Sequence, residues 1–285
     1  MMTLFSAIIA AAVPSSLATG DVLVHPLRAA QIEAIANTPG VLWRAAAHPR
    51  FATSPPGVST SLMGAPGDQG GTIDALVEAG KIISVYSTRD GTEDDIPVSF
   101  DSATNWPQCA VIIGDIRDQS NCGCCWAFAG AEAASDRMCI ATNATVPLSA
   151  QDACFNGGGL FSSGCDGGQI VAPWEYIQNL GLTSTSGGAV SGGQYNGTGD
   201  FGGGFCSDFS MPHCHHHGPQ NNDPYPAEGE PGCETQTTPE GPTMCDADAA
   251  SPHADFATDK YYFDGDIITA VGESNMQRAI MAGGP

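Results

Sequence analysis

Positive charge is what this sequence has least of. Nine lysines and arginines stand against 31 aspartates and glutamates, a net charge of -22 over 285 residues. Only Lys81 and Lys260 are lysines, and between Met138 and Gln277 Lys260 is the sole basic residue among 17 carboxylates. So acidic a surface repels phosphate backbones, which excludes nucleic acid as a partner. Long apolar runs are lacking too. None reaches the ~18 residues that span a bilayer, so no membrane partner is expected. Cysteine is absent before Cys109 and tryptophan after Trp174.

What is present argues for a folded chain. Hydrophobic residues make up 42%, with eleven phenylalanines and eleven cysteines, which excludes global disorder. The 36 glycines and 20 prolines point to a loop-rich globule of one large or two modest domains. Leu4 to Val13 is apolar and precedes Pro14 and the small-residue series Ser16-Leu17-Ala18. That pattern predicts a secretory signal over residues 1–18; a buried N-terminal helix is the alternative. A secretory route makes the cysteines readable as disulfides. The sequons Asn143-Ala-Thr145 and Asn196-Gly-Thr198 are compatible with it.

Residues 19–95 form a cysteine-free compartment. From His25 to Trp43, Leu27, Ile32, Ile35 and Ala36 can share a helix face before Pro49, Pro55 and Pro56 break the chain. Thr72 to Ser87 offers one more short element, and Glu93-Asp94-Asp95 is a charged run before Ile96-Pro97. On residues alone this could be a small domain, a linker or a propeptide. Beyond it, an alanine-rich helix is predicted from Cys125 through Cys139, apolar nearly all round as a central buried helix needs. Ser149 opens a second helix, and Ala172 to Leu180 suggests a third. Half of residues 187–204 are glycine, which makes that stretch loop. Lys260 to Ile268 reads as a strand with a turn, and Glu273 to Met281 as a helix.

The chemistry concentrates in Gln119-Ser-Asn-Cys122-Gly-Cys124-Cys125-Trp126. A thiol on the first turn of a buried helix feels the positive end of the helix dipole, which favours the reactive thiolate. A glutamine six residues upstream can donate to an oxyanion beside the backbone N–H of the cysteine. Zinc ligation fits poorly, because no second C-x-x-C follows.

This segment resembles the active-site region of papain-like cysteine peptidases, pattern Q-x-x-C-G-x-C-W. Ile96 to Asp101, Trp106 to Cys109, Ile116 to Gln119 and Ser135 to Cys139 resemble the cathepsin B type within that family. His25-Pro26 and Leu42-Trp43 are similar to its propeptide. The resemblance implies an α+β papain-like fold, with a propeptide over 19–95 and the helical left domain over 96–259. The latter would carry an occluding loop at about 206–245, and 260–285 would begin a β-rich right domain that is mostly missing. It implies Cys125 as nucleophile and Gln119 as oxyanion donor, with Gly167 and Gly168 pairing their backbone with an extended substrate. His216 and His217 would hold a substrate's C-terminal carboxylate for peptidyl-dipeptidase action, and Asp118 would tether the loop through His216. The other reading of His213 to His217 is a solvated tract or an adventitious metal site. The implied bridges are Cys109–Cys139, Cys122–Cys165, Cys206–Cys245 and Cys214–Cys233. Two family bridges lose both partners here, Asn156 with Gly241 and Gly157 with Phe161. Cys124, where the family has serine, and Cys154 are left without partners; a vicinal Cys124–Cys125 bridge would be strained.

A cysteine peptidase also needs a histidine base and a group to orient it, which the family supplies in Gly-His and Asn-Ser-Trp motifs. Neither occurs here. The sequence thus reads as a truncated piece of a secreted, lysosomal or vacuolar zymogen acting on peptides and proteins. Cystatin-like inhibitors are possible partners, and no metal or organic cofactor is implied. The alternative is a catalytically dead homologue that binds a peptide or protease.

Overall fold

A computed structural model describes residues 24–48, 51–53, 63–65, 70–85, 96–157, 159, 161–178, 187–194, 201–212, 214–215, 230–231 and 236–285. The described residues fall into two units, one up to Thr53 and the other from Met63 onward. The signal segment, the acidic run at 93–95, His213, His216, His217 and Cys233 lie outside the described residues.

The first unit holds α1 (Pro26–Ala36). Pro26 sits where a helix has no use for an N–H, and the His25 imidazole accepts a hydrogen bond from Leu27 N. The helix stops at Ala36, short of the 25–43 pattern, because Asn37-Thr38-Pro39-Gly40 turns the chain. Ile32 and Ile35 are half-buried, while Leu27 is exposed.

The second unit contains α2 (Gly70–Glu78), β1 (Ile82–Val85), α3 (Ser102–Asn105), α4 (Ala110–Ile113), α5 (Cys125–Thr142), α6 (Ala150–Asn156) and α7 (Ala172–Gln178). After these come β2 (Cys214–His215), β3 (Glu230–Pro231), β4 (Ile267–Ala270) and α8 (Glu273–Gly283). The architecture is α+β: helices surround α5, and two short parallel pairs, β1–β4 and β2–β3, lie outside that core. Register in the first pair runs Ile82 to Ile267 through Val85 to Ala270. The strand expected from Lys260 forms later, because Gly265, at φ 104°, turns the chain ahead of it.

Helix α5 is buried as its composition demands. Trp126, Ala127, Phe128, Ala131 and Ala134 face a core shared with Leu148, Ile177 and Phe209. Phe128 meets Phe209 edge-on at 4.8 Å. Asn143, left-handed at φ 61°, closes the helix with its N–H on the Cys139 carbonyl. Helix α6 starts with the Ser149 hydroxyl accepting from Asp152 N.

Asp152 is wholly buried and serves as a hub. It accepts from Asn156 Nδ2 at 2.8 Å, the Tyr176 hydroxyl at 2.9 Å and Val190 N at 3.0 Å, with Lys260 Nζ at 3.5 Å. Burial and this carboxylate push the Tyr176 phenol well above its ordinary range. The lone basic residue of the acidic stretch is therefore spent on a buried anion.

Bridges join Cys109 to Cys139, Cys122 to Cys165 and Cys206 to Cys245. Cys233 is outside the described residues, so the Cys214–Cys233 pair is too. The sequence reading needs correction at Cys124 and Cys154. They are not partnerless: a bridge joins them, with Cα atoms 6.1 Å apart. The reason is packing, since α6 lies against α5 and brings Cys154 under the start of that helix. At the site of the lost Asn156–Gly241 bridge, Asn156 Nδ2 donates to Pro242 O at 2.7 Å.

Candidate functional site

Cys125 is the first residue of α5, half-buried, and the free cysteine among the described residues. The Cys124 carbonyl receives the first helical bonds, from Ala127 N at 2.9 Å and Phe128 N at 3.1 Å. The thiol thus stands where the unpaired N–H groups of the first turn concentrate positive potential.

The loop before the helix is held from several sides. The Gln194 side chain grips the backbone of Asp118 twice. Its Oε1 accepts from Asp118 N at 2.7 Å, and its Nε2 donates to Asp118 O at 2.6 Å. The Asp118 carboxylate accepts from Ser120 N, and Ser120 takes a left-handed φ of 58°. Gln119 Nε2 donates to the Cys122 carbonyl at 2.7 Å, which holds its amide against the loop before α5. Gly123 N donates to Cys165 O at 2.9 Å, doubling the Cys122–Cys165 bridge.

That bridge ties the loop to the segment that carries the glycine wall, Gly167 and Gly168. Gly167 has φ 114°, which favours glycine. A Cβ on Gly168 would strike the Trp126 ring. With no side chain in the way, Gly168 N donates to the carbonyl of Gly64 at 2.7 Å. Gly64 needs to be glycine as well, because a Cβ there would overlap the Gly123 carbonyl. The upstream Gly64 therefore meets the wall through a backbone hydrogen bond, the kind of contact an extended peptide makes. Sequence reasoning did not single out Gly64. Its signal, a glycine after Met63 in a loop-rich segment, has no periodicity to mark it.

Behind α5 lies a carboxylate cluster. Arg117 Nε pairs with Asp115 Oδ2 at 2.7 Å, and its Nη1 donates to Leu148 O at 2.9 Å. Burial pushes the Glu132 carboxyl up to about 7 and that of Asp136 up to about 6, Arg117 opposing both shifts and Asp115 adding to both. On α7, Glu175 is 2% exposed and its Oε1 has no hydrogen-bond partner among the described residues. Burial raises it to about 7 against the pull of Lys81.

Three of the described histidines are engaged elsewhere. His25 caps α1, His48 meets the Phe51 ring, and His253 Nδ1 lies 2.8 Å from Asp259, whose other oxygen accepts from the Ser191 hydroxyl. Cys122, Cys124 and Cys154 bring their sulfurs within 4.8 Å of one another, but each is in a bridge and offers no thiolate to a metal. Among the described residues no helix is long and apolar enough to cross a membrane.

Comparison with known proteins agrees with this geometry. Residues 96–285 match the model of the papain family cysteine proteases. Cathepsin B-like cysteine proteinase 4 of Caenorhabditis elegans is 37% identical over 204 residues, covering 69% of this chain and 53% of that protein. A cathepsin B-like cysteine proteinase of Schistosoma japonicum is 34% identical over 195 residues, covering 67% and 50%. The chain spans about half the length of these curated relatives. The structure of proCathepsin B S9 from Trypanosoma congolense superposes with a TM-score of 0.55 at 22% identity, covering 89% of this chain and 68% of that one, a likeness of fold. The match across residues 96–285, over a buried helix that opens on a free thiol, places the chain in the papain family of cysteine proteases.

Proposed function

We propose that this chain carries the nucleophile side of a cathepsin B-like peptidase made as a zymogen. The observation that carries the reading is the free Cys125 thiol at the start of α5, beside a wall whose Gly168 N–H already holds a peptide carbonyl. Cys125 attacks the scissile carbonyl, and its own N–H and Gln119 stabilise the oxyanion. Gly167 and Gly168 align the substrate backbone, and Met63 to Ala65 occupy that place until processing. The base belongs to the Gly-His and Asn-Ser-Trp motifs that the resemblance implies and this chain lacks. His216 and His217, tethered through Asp118, would add dipeptide release from C-termini. Peptides and proteins are the substrates, and cystatin-like inhibitors fit the same cleft. The bridges suit the secretory pathway and an extracellular, lysosomal or vacuolar destination.

The test is peptide hydrolysis by a chain extended to include both motifs. Activity abolished by Cys125→Ser supports the reading. Tight peptide binding without turnover would instead establish a binding homologue. In the active form, His216→Ala should shift cleavage from C-terminal dipeptides to internal bonds; an unchanged ratio would remove the loop assignment.

A further inference from the structure

Helix α5 begins, as α4 does on the bridged Cys109, without a side-chain cap, whereas α3 and α6 have one. Asp101 caps α3 and Ser149 caps α6, each with a side-chain oxygen on a backbone N–H. Cys124 caps α5 without any side-chain hydrogen bond. What its side chain does instead is bond covalently to Cys154 of α6. Both sulfur-bearing residues are 0% exposed, and α6 is itself locked by the Asp152 hub. Two residues earlier, Cys122 is bonded to Cys165 of the glycine wall. The chain is thus pinned to two different supports within three residues of Cys125, which is left as the free thiol.

We propose that the Cys124–Cys154 bridge is a positioning device for the Cys125 thiol, holding the first turn of α5 in place of a capping hydrogen bond. The inference rests on Cys125 being the reactive thiol. The physical reason is fraying. A helix end without a cap unwinds readily, and the dipole acts on a thiol only while the first turn is formed. A covalent tie from the cap residue to a buried helix removes that freedom. Serine at 124, as the family resemblance has it, could cap by hydrogen bond; cysteine cannot do so well, and Cys154 supplies the substitute. Cys154 has a second effect. The Cys122 sulfur lies within 4.8 Å of both, so an unpaired Cys124 thiol would sit within exchange range of the Cys122–Cys165 bridge. The tie must therefore be removed from both ends at once.

The experiment is the rate of Cys125 alkylation by iodoacetamide in the 285-residue chain between pH 5 and 9, read by peptide mass mapping. It compares the unaltered protein with Cys124→Ala/Cys154→Val, which keeps apolar volume without a cap. The inference expects alkylation of the double variant at pH 6 to be slower by about two- to five-fold, the range of a helix-terminus contribution. Adding Cys124→Ser to Cys154→Val should restore part of the rate by restoring a capping oxygen. Equal rates in folded variants would overturn it, leaving the bridge as a staple only. Failure of both variants to fold would overturn it too, because a positioning role supposes a core that stands on the remaining bridges. If Cys125 in a chain extended to include the Gly-His and Asn-Ser-Trp motifs reacts no faster than free glutathione, the nucleophile reading fails instead, and that result is distinct from the other two.

Discussion

Replacing Glu175 by glutamine should flatten the pH dependence of stability. Glu175 is 2% exposed on α7, and burial raises its carboxyl from 4.5 to about 7. A raised folded-state value means that the folded chain holds this proton more tightly than the unfolded chain does. The resulting stabilisation is complete below about 4.5 and is lost as pH rises through 7. Between pH 5 and 8 the loss from this group is on the order of 2 to 3 kcal/mol. Glu132 and Asp136 act in the same direction, but they do so in both proteins and cancel in the comparison. The assay is urea unfolding with the disulfides intact, at pH 5 and at pH 8, for the unaltered chain and Glu175→Gln. The unaltered chain should lose about 2 to 3 kcal/mol more than the variant over that interval. Equal losses within about 1 kcal/mol would refute the argument, and would mean that Glu175 is ionised at both pH values or reaches water.

Gly168→Ala should cost about 1–3 kcal/mol in urea unfolding, because its methyl has nowhere to go but the Trp126 ring; a neutral result would contradict the close approach. Gly64→Val should drive the upstream stretch off the wall, read as faster hydrogen exchange at the Gly168 amide, which now bonds to Gly64 O. Unchanged protection there would show that the wall does not depend on that contact. Asn156→Cys with Gly241→Cys should form a bridge where the Asn156 side chain now abuts Gly241, with a gain of about 2–4 kcal/mol. A variant that leaves both thiols alkylatable would show that the pair cannot reach bonding geometry.

Local signals made parts of this molecule readable in advance. Alanine-rich composition announced α5, the Ser149 cap announced α6, and the Q-x-x-C-G-x-C-W spacing singled out Cys125. What escaped the sequence depends on contacts across space. Cys124 and Cys154 are 30 residues apart, and only the packing of α6 beneath α5 shows that they meet. The same holds for Gly64 on Gly168, and for β1 beside β4, which pairs residues separated by most of the chain. Nothing in the neighbours of Glu175 along the chain reveals that α7 turns it inward. His216 and His217 rest on the resemblance, since they lie outside the described residues.

The double grip of Gln194 on Asp118 has a bearing on the order of assembly. A single side chain there does what a neighbouring strand would do, one donor and one acceptor to the same residue, across a separation of 76 residues. Helix α5 can coil from local bonds alone, whereas the turn that aims its thiol waits for the glycine-rich stretch after residue 187 to arrive. During synthesis the Cys125 sulfur would therefore leave the ribosome long before its surroundings exist. The interval is one in which seven of the eleven cysteines are already made and exposed to mispairing. Faithful pairing therefore depends on how quickly Gln194 reaches the Asp118 backbone.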